Sequence, residues 1–243
     1  MNVEDVVNAT VDIRVADESI GSGFRFVQED VVVTISHILP PDPGAVPITG
    51  ATAADTESKL EVVAASPEPH RDGDDFAILR AIDGFERNSD VLQPATGDLN
   101  RGDTVWFAGH PFEISEPLVH AAMVSGPHPH GFYLDGSVNY GNSGGPVVTE
   151  SGRVGGIITE SEIYESHSIE ESINDLYGIQ ERMARIQEVH ESEINGVHVE
   201  GLKMDSIQTI QEAISILTEN VSSGIGVGYG IEPVLEGLKN LES

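Results

Sequence analysis

A serine set between glycines, in the run Gly141-Asn142-Ser143-Gly144-Gly145-Pro146, is the stretch of this chain best suited to chemistry. Glycine permits backbone angles that other residues avoid, so a hydroxyl can sit exposed on a tight turn. N–H groups in such a turn can also converge on one point, as a developing negative charge requires. A serine hydroxyl is a weak nucleophile until a base accepts its proton and an acid orients that base. Taken alone, a glycine-rich turn is ordinary, so the argument depends on partners elsewhere.

Two apolar runs supply them. Val31-Val32-Val33-Thr34-Ile35-Ser36-His37-Ile38-Leu39 carries one histidine near its end, and Asp75-Phe76-Ala77-Ile78-Leu79 opens on a carboxylate. Asp74 is the alternative acid, one residue earlier. The order His37, Asp75, Ser143 is one in which hydrolytic triads occur.

With these residues in this order, the chain resembles the trypsin/chymotrypsin-like serine peptidases, and among them the HtrA-like branch. Gly21-Ser22-Gly23-Phe24, followed by Val31 to Leu39, is similar to that branch's glycine-rich strand and T-x-x-H motif. Asp75 to Leu79 has its D-hydrophobic-A-hydrophobic-L pattern, in which Ala77 selects Asp75 over Asp74. Gly102-Asp103-Thr104-Val105-Trp106-Phe107-Ala108-Gly109-His110-Pro111 resembles its G-D-x-V-x-x-x-G-x-P segment. Asp135-Gly136-Ser137-Val138-Asn139-Tyr140 resembles its approach to the serine. Nothing after the serine motif reads as a PDZ module.

The resemblance implies an all-β protein of two six-stranded antiparallel β-barrels. It implies a serine endopeptidase acting through an acyl-enzyme. His37 would be the general base, Asp75 its orienting acid and Ser143 the nucleophile. The N–H groups of Gly141 and Ser143 would form the oxyanion hole. Ser137, Val138, Asn139 and Tyr140, with Thr159, Glu160 and Ser161 opposite, would line the primary specificity pocket. Ser137 stands where trypsin has its acidic residue, so the expected preference is for small or medium aliphatic side chains rather than Lys or Arg. Tyr140 replaces the branch's usual proline and would shape or partly block the cleft. Asn142 replaces the aspartate that receives a new N-terminus in digestive zymogens, so that mode of activation is not expected. The competing reading is an inactive or self-processing protein of the same fold, serving as a binding or scaffold module. The presence of all three triad residues favours the enzyme.

Composition narrows the classes further. The 243 residues include 41 acidic and 12 basic side chains, for a formal charge of −29. Such a surface repels phosphate backbones and anionic lipid, so neither nucleic acid nor membrane is an expected partner. An acidic, lysine-poor chain suits high salt, where self-repulsion is screened. The expected source is a halophilic archaeon or its virus. Cysteine is absent, which excludes disulfides and thiol chemistry. The first twenty residues hold no apolar block, so no secretory leader is expected and the expected location is cytoplasmic. No cofactor is implied. His128 and His130, with His110 or His120, lack the carboxylate or cysteine spacing of a metal site, and surface-loop histidines are the expectation.

The expected organisation is an N-terminal barrel over 1–90 with His37 and Asp75, opening on a strand between Val6 and Ala16 rather than a helix. A second barrel with Ser143 spans 91–162 and 222–243 and ends in a C-terminal helix. Asp83 to Asn100 connects the two. Residues 163–221 are an insertion: Ile169, Ile173, Leu176 and Ile179, then Ile207, Ile210, Ile214 and Leu217, recur at steps of three or four. That spacing predicts an α-helical hairpin, broken at Asn195-Gly196, serving as a lid, an exosite or a surface for oligomer formation.

Overall fold

In the computed structural model of the chain, the described residues are 1–54, 56–66, 75–85, 90–161, 176–179, 193–194, 197–198, 206–210 and 224–241. The chain opens on helix α1, Val3–Ala9, where a strand was expected, and strand β1 begins only at Thr10. Glu4 and Asp5 sit in the helix's first turn, where its dipole favours carboxylates. Val6 and Ala9, three residues apart on one helical stripe, are both fully buried. Thr10 stops the helix by donating its hydroxyl to the Val6 carbonyl at 2.8 Å. These local gains outweigh the β-branched composition that suggested a strand.

Beyond α1, strands β1 (Thr10–Val15), β2 (Glu18–Arg25), β3 (Val31–Thr34), β4 (Ile48–Thr52), β5 (Glu57–Ala65) and β6 (Ala77–Ala81) close into a barrel in the order β1-β2-β3-β6-β5-β4. Strand β4 has little sequence signature, because Ile48 is its one large apolar residue. Its Gly50 is required by packing: a Cβ there would lie 2.7 Å from Val11 Cγ1. The second barrel takes β7 (Thr104–Gly109), β8 (Leu118–His128), β9 (Gly131–Asp135), β10 (Pro146–Thr149) and β11 (Val154–Ser161). Its closing strand, here called β14 (Ile225–Gly230), enters between β11 and β9, and the helix Glu232–Leu241 follows. All neighbouring strands in both barrels are antiparallel.

One apolar cluster fills each barrel, around Val11, Ile13 and Leu79 in the first and around Phe107, Leu134 and Val147 in the second. A third cluster lies between them. It joins Phe24, Phe26, Val33 and Ile78 of the first barrel to Ala108, Val148, Val154 and Ile157 of the second, with Val234 from the C-terminal helix. The stretch expected as a plain connector takes part in this seam. Leu92 is buried and bridges Phe26 in parallel fashion, and Pro94 bridges Val154.

The chain divides into two compact units, Met1–Glu162 with Gly224–Ser243, and Ile163–Ser223. Both barrels belong to the first. Most of the expected helical hairpin over 163–221 lies outside the described residues. Of that stretch, 176–179 and 206–210 are helical. At the expected break, strand β12 (Glu193–Ile194) pairs antiparallel with β13 (Val197–His198). Among the described residues no helix is long and apolar enough to cross a membrane.

Candidate active site

The register of one strand pair explains how His37 meets Asp75. Strands β3 and β6 run antiparallel with Thr34 opposite Ala77. His37 follows Thr34 by three residues and Asp75 precedes Ala77 by two, so both emerge at the same end of the pair. Asp75 is 1% exposed and fully committed. Its Oδ1 accepts the backbone N–H of Ser36 at 2.9 Å and of His37 at 3.1 Å. Its Oδ2 lies 2.5 Å from His37 Nδ1. A carboxylate can only accept, so Nδ1 carries a ring proton and points it at Asp75. Asp74, the alternative acid, lies outside the described residues.

Ser143 sits on the connection from β9 to β10, in the second barrel. Gly141 and Gly144 have φ of +93° and +89°, which side chains with a Cβ rarely adopt. Space also excludes a side chain at Gly144, where a Cβ would fall 2.0 Å from the Ser22 carbonyl oxygen. Four successive carbonyls of this turn are held. Tyr140 O accepts Phe112 N–H at 3.0 Å, and Gly141 O accepts the Ser22 hydroxyl at 2.6 Å. Asn142 O accepts Gly145 N–H at 3.0 Å, and Ser143 O accepts Ser22 N–H at 2.8 Å. A trans peptide places its N–H opposite its carbonyl. The N–H groups of Gly141 and Ser143 therefore point away from the Phe112 and Gly145 amides that hold the preceding carbonyls. Among the described residues neither N–H has an acceptor.

Strand β2 brings the two halves together. A Cβ on Gly21 would touch both Ile38 Cδ1, at 2.8 Å, and the Ser143 carbonyl oxygen, at 2.9 Å. The residue after His37 and the candidate nucleophile thus share one neighbour.

The residues expected to form the specificity pocket gather at one corner of the second barrel. Val138 is 2% exposed and packs in that barrel's core, where a Cβ on Gly226 would come within 2.4 Å of its Cγ2. Gly226 pairs in turn with Ser161, and Val227 with Glu160. The side chains of Glu160 and Ser161 lie outside the described residues. Thr159 is buried, and its hydroxyl donates to Val227 O at 3.2 Å. Asn139 is half-buried and Ser137 exposed, with Asn139 Nδ2 3.5 Å from Ser137 O. Tyr140 stands out from the surface, 62% exposed, and Phe112, whose amide holds its carbonyl, is 59% exposed. Phe112 was not singled out by sequence reasoning. Its signal is an apolar residue directly after Gly109-His110-Pro111, at a φ of +55°.

His110 departs from the expectation of a surface-loop histidine, being buried against the turn that carries Ser143. Its Nδ1 donates to Ile114 O at 3.1 Å, while Nε2 is buried with no partner among the described residues. Burial holds its imidazole below the usual range, with the nearby Asp12 charge opposing. His120, stacked on Phe107, is lowered by burial in the same way. Below about pH 6.5 the unfolded chain therefore binds protons that the folded protein refuses, and stability falls as pH falls. The denaturant midpoint should drop between pH 7.5 and 5, and His110→Asn should flatten that slope. An unchanged slope in this variant would show that His110 does not contribute. His128 is stacked on Tyr229 and edge-on to Tyr133, with the His130 ring 6.1 Å away. Among the described residues no three His, Asp or Glu side chains converge as metal ligands would.

Comparison with known proteins gives the family. Residues 21–157, more than half of the chain, match the family described as the trypsin-like peptidase domain. The chain is 32% identical over 149 residues to a DegP-like periplasmic serine endoprotease of Brucella suis, covering 57% of this chain and 27% of that protein. It is 26% identical over 161 residues to the chloroplastic Protease Do-like 1 of Arabidopsis thaliana, covering 62% of this chain and 35% of that protein. It therefore spans about a quarter to a third of the length of these relatives, 27% and 35%. The crystal structure of a serine endoprotease from Yersinia pestis superposes with a TM-score of 0.54 at 24% identity, over 65% of this chain and 56% of that one. That likeness bears on the fold.

Proposed function

Because this chain belongs to the trypsin-like peptidase domain family, we propose that it is a serine endopeptidase whose triad is His37, Asp75 and Ser143. The observation that carries this reading is the bond between Asp75 Oδ2 and His37 Nδ1 at 2.5 Å, at the edge of an anchored serine turn. His37 Nε2 takes the Ser143 proton as the hydroxyl attacks the substrate carbonyl. Asp75 stabilises the imidazolium that results without itself taking the proton. The N–H groups of Gly141 and Ser143 bind the oxyanion, each donor being worth about 3 kcal/mol in the transition state. His37 then protonates the leaving amine, and water releases the acyl group by the same steps in reverse roles.

The substrate is a protein or peptide. Ser137 supplies no charge for Lys or Arg, which favours small or medium aliphatic residues before the cleaved bond. The formal net charge of −29 suits work in concentrated salt, where repulsion between carboxylates is screened.

Labelling by a fluorophosphonate in molar KCl tests this reading, with the wild type beside Ser143→Ala and His37→Ala. Labelling of the wild type that is lost in both variants is the expected result. A folded wild type that does not label would favour the silent binding module and overturn the peptidase reading.

A further inference from the structure

Ser22 is fully buried on β2, in the barrel that carries His37 and Asp75, yet it grips the turn that carries Ser143. Its N–H donates to Ser143 O at 2.8 Å and its hydroxyl donates to Gly141 O at 2.6 Å. The same hydroxyl accepts His110 N–H at 2.9 Å. Its carbonyl accepts the hydroxyl of Thr34, three residues before His37, at 2.6 Å. The direction of the side-chain bonds follows from chemistry. An amide N–H can only donate and a carbonyl can only accept, so the Ser22 proton must point at Gly141.

Resting on the serine-endopeptidase reading, we propose that Ser22 is a positioning residue for the oxyanion-binding turn. Its hydroxyl fixes the plane of the peptide after Gly141, and its amide fixes the plane of the peptide after Ser143. Gly141 sits at a φ of +93° and, lacking a side chain, has little of its own to keep it there. The Gly141 N–H lies on the peptide before it, which Phe112 holds through Tyr140 O. With Ser22 holding the peptide after it, both torsions of this glycine are fixed and its N–H stays aimed at the place where negative charge develops. Alanine at this position removes the clamp on Gly141 and strips His110 N–H of its acceptor. The peptide after Gly141 then keeps only the Asn142 N–H bond to Asn139 O, so the torsions of this glycine loosen and its own N–H can turn from the hole.

A clamp on the oxyanion hole acts on the transition state, where the charge exists, and leaves reversible binding of the uncharged ground state unaltered. The test uses the full chain and a fluorophosphonate, whose phosphoryl oxygen takes the oxyanion's place, with the maximal labelling rate separated from the half-saturating concentration. Ser22→Ala should lower the maximal rate about tenfold and leave the half-saturating concentration unchanged, as expected for displacing rather than deleting one donor. Ser22→Cys, a weaker donor of similar size, should fall between the two. Thermal unfolding of each variant reports the folded fraction, by which the rates are normalised. Equal normalised rates for Ser22→Ala and wild type would overturn the inference, as would a loss confined to the half-saturating concentration. In either case the peptidase reading survives if wild-type labelling is lost in Ser143→Ala. A folded wild type that does not label overturns both.

Discussion

Ser143→Ala is expected to slow acyl transfer about a million-fold, because the atom that forms the bond to substrate is gone. The change is local. The backbone of residue 143 is held through its carbonyl by Ser22, and its neighbours are held at Tyr140, Gly141 and Asn142, so the turn loses no anchor. The oxyanion donors and the His37–Asp75 pair also stay. A residual acceleration of about 10³ over water is therefore expected from the donors and from binding. Adding His37→Ala to Ser143→Ala should cost almost nothing more, since a base without its nucleophile has no proton to take. The release of p-nitrophenolate from p-nitrophenyl acetate measures both variants. A double variant slower than Ser143→Ala by several further powers of ten would show that the two residues do not act as a unit.

Asp75→Asn should lower the rate about 10⁴-fold while leaving the fold in place. The carboxamide oxygen can still accept the N–H groups of Ser36 and His37, which the carboxylate now accepts at 2.9 and 3.1 Å. Its NH₂ group then faces His37 Nδ1, where Oδ2 accepted a proton before. Two donors cannot meet, so Nδ1 must present its lone pair and the ring proton moves to Nε2. A base protonated at Nε2 cannot take the serine proton. The fluorophosphonate labelling rate, set beside the unfolding midpoint, measures this loss. A loss below tenfold would mean that another carboxylate, Asp74 first among them, supplies the acid.

Much of the site was legible because each member stands at the edge of a run whose periodicity is plain. His37 ends a β-branched strand, Asp75 opens one, and Ser143 lies between glycines that need φ angles denied to other residues. The barrels followed from the same short apolar runs, including the late strand Ile225–Gly230 that closes the second. Other features depend on contacts between segments distant in sequence. Helix α1 exists because Val6 and Ala9 find buried places, which β-branched composition alone does not foretell. Strand β4 is nearly mute, since Gly50 fits between Val11 and Leu60 instead of contributing a side chain. The grip of Ser22 on Gly141 spans 119 residues, and the burial of His110 depends on the same meeting of barrels. Val138, expected in the pocket wall, is buried in the second barrel's core, where Gly226 leaves room for its side chain.

The seam between the barrels also limits how this molecule can be switched. His37 and Asp75 stand on one side of it and Ser143 on the other, so hinging the barrels apart would be the obvious way to break the triad. That motion would bring Phe24, Phe26, Val148 and Ile157 into water together. Each such side chain is worth about 1.5–3 kcal/mol when fully buried, and the sum is comparable to the whole stability of an ordinary domain. The jaws are in effect welded. Among the described residues, control of the proposed reaction that keeps the barrels packed would run through the small, hydrogen-bonded joints at the rim, where rotating one peptide changes the chemistry without opening the core.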